Sequence, residues 1–139
     1  MMLTTRGRYA VMAMVDLAWQ DKAKPVALAD IAVRQGIALN YLEQIFARLR
    51  KSGIVESVRG PGGGYLLAQG AGNIRIAHII SAVEEQIVIT RCKTEAKGCV
   101  KENAKCLTHD LWEGLDRQIH AYLDGVTLED VKERRLKVG

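Results

Sequence analysis

Apolar positions recur with a helical period over most of the chain and change once to a strand-like pattern near residue 54. Tyr9, Val11, Met12, Met14, Val15, Leu17 and Ala18 cover a broad face between Thr4 and about Trp19, which predicts a buried amphipathic helix. Thr4 or Thr5 starts it and the stretch Lys22 to Pro25 ends it. Arg6 and Arg8 lie at the helix end where the dipole disfavours cations, a cost that a nearby anion would offset; Asp16 is expected off the apolar face. Ala27 to Gln35 reads as a short second helix with Leu28, Ile31 and Ala32 inward, and Gly36 as the turn after it. A third helix runs from about Asn40 to Ser52, with Leu42, Ile45, Phe46 and Leu49 on one stripe, Asn40 and Glu43 as a capping pair and Gly53 as its stop.

Two short helices joined by a glycine turn, with small Ala32 where they must approach, form the helix-turn-helix signature. Ile54 to Arg59 then reads as a strand, Gly60 to Gly64 as a tight turn and Tyr65 to Ala68 as the returning strand, so a wing follows the third helix. Asn73 is expected to cap a fourth helix through about Glu85, with Ile76, Ile79, Ile80 and Val83 in the core and His78 as a polar neighbour. Beyond residue 107, Trp112, Leu115, Ile119 and Tyr122 make a narrow apolar seam on a long helix from about Leu107 to Leu123, suited to pairing with a second subunit. Gly125 stops that helix, and Thr127 with Asp130 starts a last one that frays through Lys132 to Gly139. The expected fold class is mainly α with a small β-hairpin: a winged helix-turn-helix with a long C-terminal dimerisation helix. The expected organisation is a DNA-binding unit over 1–85 (helix-turn-helix 28–51, wing 54–68), a metal-binding loop over 86–109 and dimerisation helices over 107–139.

Composition narrows the setting. At 139 residues, with 48% apolar and 26% charged residues, the chain is an ordinary globular protein able to bury a core. No stretch approaches the roughly 20 apolar residues that span a bilayer, and three cysteines without a convincing signal peptide point to a reducing, cytoplasmic setting. The glycine run is not a phosphate loop, because no Lys-Ser or Lys-Thr follows and Tyr65 opens a strand. No nucleophile, base and orienting group fall at a recognisable spacing, so an enzyme is not expected.

The net charge of +4 is modest, but its placement is not even. Arg34, Arg48, Arg50, Lys51 and Arg59 face only Glu43 and Glu56 between residues 34 and 59, leaving +3 on the stretch from the end of the second helix through the third helix and wing. Double-stranded DNA is the natural partner for such a stripe. Asn40, Tyr41, Glu43, Gln44 and Arg48 occupy the outer, N-terminal part of the third helix, where recognition helices meet bases. Gln44 suits adenine, Glu43 the amino group of cytosine, and Arg48 guanine or a phosphate. Arg50 and Lys51 suit phosphates, and Arg59 beside Gly60 at the wing tip suits a minor groove.

All three cysteines and one of three histidines fall within eighteen residues, as Cys92, Cys99, Cys106 and His109, with intervening gaps of six, six and two. Thiolate and imidazole favour zinc, copper or an iron–sulfur cluster over calcium or magnesium. Structural zinc sites usually pair cysteines two to four residues apart. Polar six-residue gaps instead suit an open loop around something larger than one ion, and a histidine can replace a cysteine on a cluster. A cluster, a single zinc and a redox thiol site all remain open on this ground.

The stretches Leu3-Thr-Thr-Arg-Gly-Arg-Tyr-Ala10, Tyr41-Leu-Glu-Gln-Ile-Phe46, Val58-Arg-Gly-Pro-Gly-Gly-Gly-Tyr-Leu-Leu67 and Cys106-Leu-Thr-His-Asp-Leu-Trp112 closely resemble the IscR family of winged-helix regulators of iron–sulfur cluster assembly. The resemblance covers nearly the whole chain. It implies a homodimeric transcription factor with one 2Fe-2S cluster per subunit on Cys92, Cys99, Cys106 and His109, loaded by the iron–sulfur assembly machinery. The cluster state would select which promoter operators are bound, with repression of assembly genes when supply is adequate. The cysteine gaps are six and six where five and five are common. Relatives with similar wings sense nitric oxide or cysteine metabolites, which keeps a nitric oxide or redox regulator as an alternative, beside a zinc-bearing regulator and a small cluster carrier.

Overall fold

A computed structural model describes residues 4–84 and 107–138. Its elements are α1 (Thr5–Trp19), α2 (Leu28–Gln35), α3 (Leu39–Lys51), β1 (Val55–Val58), β2 (Gly64–Leu67), a 3-10 turn (Ala71–Asn73), α4 (Ile76–Val83), α5 (His109–Gly125) and α6 (Leu128–Lys132). The mainly helical class with one antiparallel hairpin is as expected.

The core explains the helix-turn-helix. Leu42, Ile45, Phe46 and Leu49 form the inner stripe of α3, and all four are essentially inaccessible beside Ala10, Ala13, Met14 and Leu17 of α1 and Ile31 of α2. Gly36 closes α2 in the left-handed region (φ 66°), a conformation that an L side chain disfavours and that turns the chain sharply into α3. The wing then leaves α3 directly, since the Ile54 N–H donates to the Leu49 carbonyl (3.0 Å). Val55 pairs with Leu67 and Val58 with Gly64. Val26, ahead of α2, adds a short bridge, exchanging backbone hydrogen bonds of 2.9 and 2.8 Å with Tyr65. Gly64 allows that approach: a Cβ there would lie 2.2 Å from the Val26 carbonyl oxygen.

Three local expectations are corrected. The capping pair at Asn40 and Glu43 does not form, because Ala38 is the N-cap of α3 and contributes no side-chain bond. Asn73 does not cap the fourth helix; it ends the 3-10 turn, and α4 starts after Arg75. Asp16, expected on the polar side of α1, is buried.

Asp16 is instead a structural anion. Arg34 clasps it through Nη2 (2.7 Å) and Nε (3.0 Å), and Gln35 Nε2 donates at 2.9 Å, which pins α2 to α1. Burial acts to raise the Asp16 carboxyl, but these hydrogen bonds and the Arg34 charge outweigh it and hold it below the usual carboxylate value. A depressed folded-state pKa contributes stability above the unfolded value of about 3.9 that is lost as pH falls through the folded value. Asp16→Asn should therefore cost about 3 kcal/mol near neutrality. That is the low end for a broken buried pair, because Arg34 is 39% exposed and can hydrate. Denaturant titrations should show the deficit narrowing toward pH 2; a gap constant with pH would mean that charge pairing is not its origin.

The C-terminal segment divides. α6 returns to the core, where Val126 and Leu128 are buried. Backbone hydrogen bonds from Ile76 N–H to Val126 (2.9 Å) and from Leu128 N–H to Ile74 (2.7 Å) stitch it to the start of α4. Thr127 and Asp130 start α6 as expected, and they do so through a reciprocal capping box. α5 behaves otherwise: none of its residues is buried.

Candidate functional site

The outward stripe of α3 carries Asn40, Glu43, Gln44, Ala47, Arg50 and Lys51, all exposed. They lie opposite Leu42, Ile45, Phe46 and Leu49, so core packing on one face fixes which side chains the other presents. Arg59 and Gly60 are exposed at the wing tip, where the Gly63 N–H donates to the Gly60 carbonyl (2.9 Å). Gly60 (φ 100°) and Gly62 (φ 74°) occupy left-handed conformations that keep the turn tight.

Two residues expected on this surface are engaged elsewhere. Tyr41 is half-buried with its ring edge-on to Tyr9 of α1, centroids 5.8 Å apart. Arg48 turns its guanidinium toward the end of α4, where Nη1 donates to the Val83 carbonyl (3.2 Å). Arg34, counted in the basic stripe, is neutralised by Asp16. Arg48 keeps its charge, since a carbonyl is a neutral acceptor, so Arg48, Arg50, Lys51 and Arg59 carry the positive charge of the stripe, on α3 and on the wing, with Arg48 directed toward α4.

The first turn of α1, which carries Arg6 and Arg8, meets an anion, Glu84. Its carboxylate accepts from the Gly7 N–H at 3.1 Å in the first turn of α1, where a negative group complements the helix dipole. Sequence reasoning had no means of locating it, since 77 residues separate the partners.

Cys92, Cys99 and Cys106 lie outside the described residues. His109, the remaining candidate ligand, is the first residue of α5. Its Nε2 lies 3.3 Å from Glu113 Oε2, one helical turn on. A carboxylate on one ring nitrogen fixes the orientation and tautomer of a metal-binding imidazole. The i, i+4 spacing of His109 and Glu113 is the sequence signal for this pair. His109, Asp110 and Glu113 together offer ligand atoms within 4.8 Å of one another.

On α5 the apolar side chains stay open: Leu111, Trp112, Leu115 and Tyr122 are 62, 40, 41 and 58% exposed, and Ile119 is half-buried. Helical spacing puts them along one side of a rod about 25 Å long. Among the described residues, no helix is long and apolar enough to cross a membrane.

The family model for Rrf2, described as an iron-dependent transcriptional regulator, matches residues 3–134. The HTH-type transcriptional regulator IscR of Citrobacter koseri is 53% identical over 131 residues, 94% of this chain and 79% of that protein. The regulator of the same name from Salmonella paratyphi B matches equally. Among solved structures, T. potens IscR superposes with a TM-score of 0.75 at 36% identity, covering 100% of this chain and 94% of that one. CymR, the global cysteine regulator of B. subtilis, superposes with a TM-score of 0.82 at 29% identity, covering 96% and 98%.

Proposed function

The chain belongs to the Rrf2 family of iron-dependent transcriptional regulators, and from that premise we propose that it is a cytoplasmic, homodimeric regulator that senses iron–sulfur supply and controls cluster-assembly genes. A 2Fe-2S cluster, one per subunit, would be held by Cys92, Cys99, Cys106 and His109 and delivered by the iron–sulfur assembly machinery. The observation that carries the reading is His109: it opens the exposed helix α5 immediately after the cysteine segment, with Glu113 on its ring. Three thiolates and one imidazole are a donor set that iron–sulfur clusters accept. When bound, such a cluster supplies a centre whose presence depends on iron and on oxidants. The protein's own part is to hold the imidazole through Glu113 and to carry the change of state along α5 and α4 into the DNA-reading head.

In that head, Asn40, Glu43 and Gln44 would read base edges in the major groove, while Arg50, Lys51 and Arg59 would bind phosphates or the minor groove. Tyr41 supports the start of α3 from within, and Gly60 shapes the wing tip. The test is operator titration with anaerobically reconstituted and cluster-free protein. The two forms should differ in affinity for at least one operator, because a ligand shifts an equilibrium only through differential binding. Equal affinities throughout would reject the sensor. Colourless protein that binds zinc and unfolds on chelation would install the zinc-bearing regulator instead.

Contacts on the DNA side make a separate prediction. Arg59→Ala should weaken specific and random DNA alike and lower the salt slope by about 1. Glu43→Ala should mainly relax discrimination at one base position, and it is free to do so because it has no capping role at α3. Equal losses on specific and random DNA for the Glu43 variant would remove it from base reading.

A further inference from the structure

Resting on the sensor reading above, we infer that the Val83–Glu84 turn is the joint through which the metal-binding segment acts on the DNA-reading helix, with Glu84 as its positioning residue. Glu84 precedes the cysteine-bearing stretch in sequence, eight residues before Cys92, and it is buried. Its Oε1 accepts from the Gly7 N–H (3.1 Å), a first-turn amide whose other acceptor, Thr4 Oγ1, is more distant at 3.4 Å. One residue earlier, the Val83 carbonyl takes Arg6 Nη1 of α1 (3.3 Å) and Arg48 Nη1 of α3 (3.2 Å). That oxygen lies in the last turn of α4, where no helical partner exists and cations are favoured.

One pair of adjacent residues thus holds three elements together. The carboxylate caps the start of α1, and the carbonyl gathers one guanidinium from α1 and one from the reading helix. Displacing Glu84 would loosen all three hydrogen bonds together, because they share one stretch of backbone. The response should be discrete, as expected of a switch in packed structure. It would also free Arg48, which sits on α3 between the base-reading residues and the phosphate-binding pair Arg50 and Lys51. The contact leaves no space at Gly7: a Cβ there would lie 2.8 Å from Glu84 Oε1. Gly7→Ala therefore attacks the joint from the opposite side to Glu84→Ala.

The experiment uses the full chain as wild type, Glu84→Ala and Gly7→Ala. Affinity for one operator is measured in reconstituted and cluster-free forms, with iron and sulfide content and thermal midpoint recorded for each. Coupling between sites typically amounts to 5–150-fold. The wild-type ratio should collapse to about two-fold or less in both variants, with cluster content unchanged. A folded, cluster-loaded variant that keeps the wild-type ratio overturns the joint while leaving the sensor intact. A wild-type ratio of one overturns the sensor itself, and the joint with it. Amide hydrogen exchange in wild-type protein gives a readout free of DNA and of any variant's folding: Gly7 protection should differ between loaded and cluster-free forms, and identical protection counts against the joint.

Discussion

Leu115→Glu should convert the proposed homodimer to a monomer and lower its affinity for a full operator by about 10²–10⁴-fold, the range by which linking two binding modules exceeds one alone. Leu115 lies mid-helix on α5 and is 41% exposed, beside Trp112 and between Leu111 and Tyr122 on the same open side. Although α5 packs against α4 and Leu123 meets the core, none of its residues is buried among the described residues. Contiguous exposed apolar surface of that kind marks an interaction site, and its self-complementary use by a second copy would place two reading heads on one duplex. Because Leu115 is outside the core, the variant should stay folded and keep its weak affinity for an isolated half-site, with a thermal midpoint lowered by the lost pairing and no longer dependent on protein concentration. Sedimentation and DNA titration on full and half operators decide it. A variant that stays dimeric and binds the full operator normally would remove α5 as the pairing surface.

Phe46→Ala should cost about 3–5 kcal/mol, the usual penalty for emptying a buried aromatic site, which is a large share of a typical domain stability of about 5–15 kcal/mol. Phe46 is fully buried on the inner face of α3 and meets the Tyr65 ring at a centroid distance of 5.0 Å and 61°. It therefore joins the reading helix to the returning strand of the wing. The loss should appear in DNA binding too, because the wing's aim depends on that contact. Denaturant unfolding measures the first effect and operator affinity at low temperature, where the variant is still folded, measures the second. A destabilisation below about 1 kcal/mol would mean that the cavity collapses and that the packing is looser than the burial implies.

The helical stripes were legible because burial acts locally on a repeating pattern. Leu42, Ile45, Phe46 and Leu49 can face one core only if they share a helix face, so the spacing fixes α3 and, by subtraction, the exposure of Asn40, Glu43 and Gln44. The glycine-rich turn and the Thr127–Asp130 capping box are likewise short-range, set by backbone conformations and bonds within four residues. Helix starts were less legible. Asn40 and Glu43 have the right spacing for a capping box, but Leu39 already lies in the helix, so the N-cap falls on Ala38.

Charge was the least readable property. Arg34, Arg48 and Arg59 look alike in the sequence, each a cation in a basic stretch. In the folded chain Arg34 is held by a buried carboxylate 18 residues away, Arg48 by a helix-end carbonyl 35 residues away, and Arg59 stands on the exposed wing. Hydrophobic periodicity survives in one dimension because it concerns neighbours along a helix. The pairing of an ion, the capping of α1 by Glu84 and the return of α6 against α1 depend on which distant segments meet, and only the packed arrangement of helices sets that.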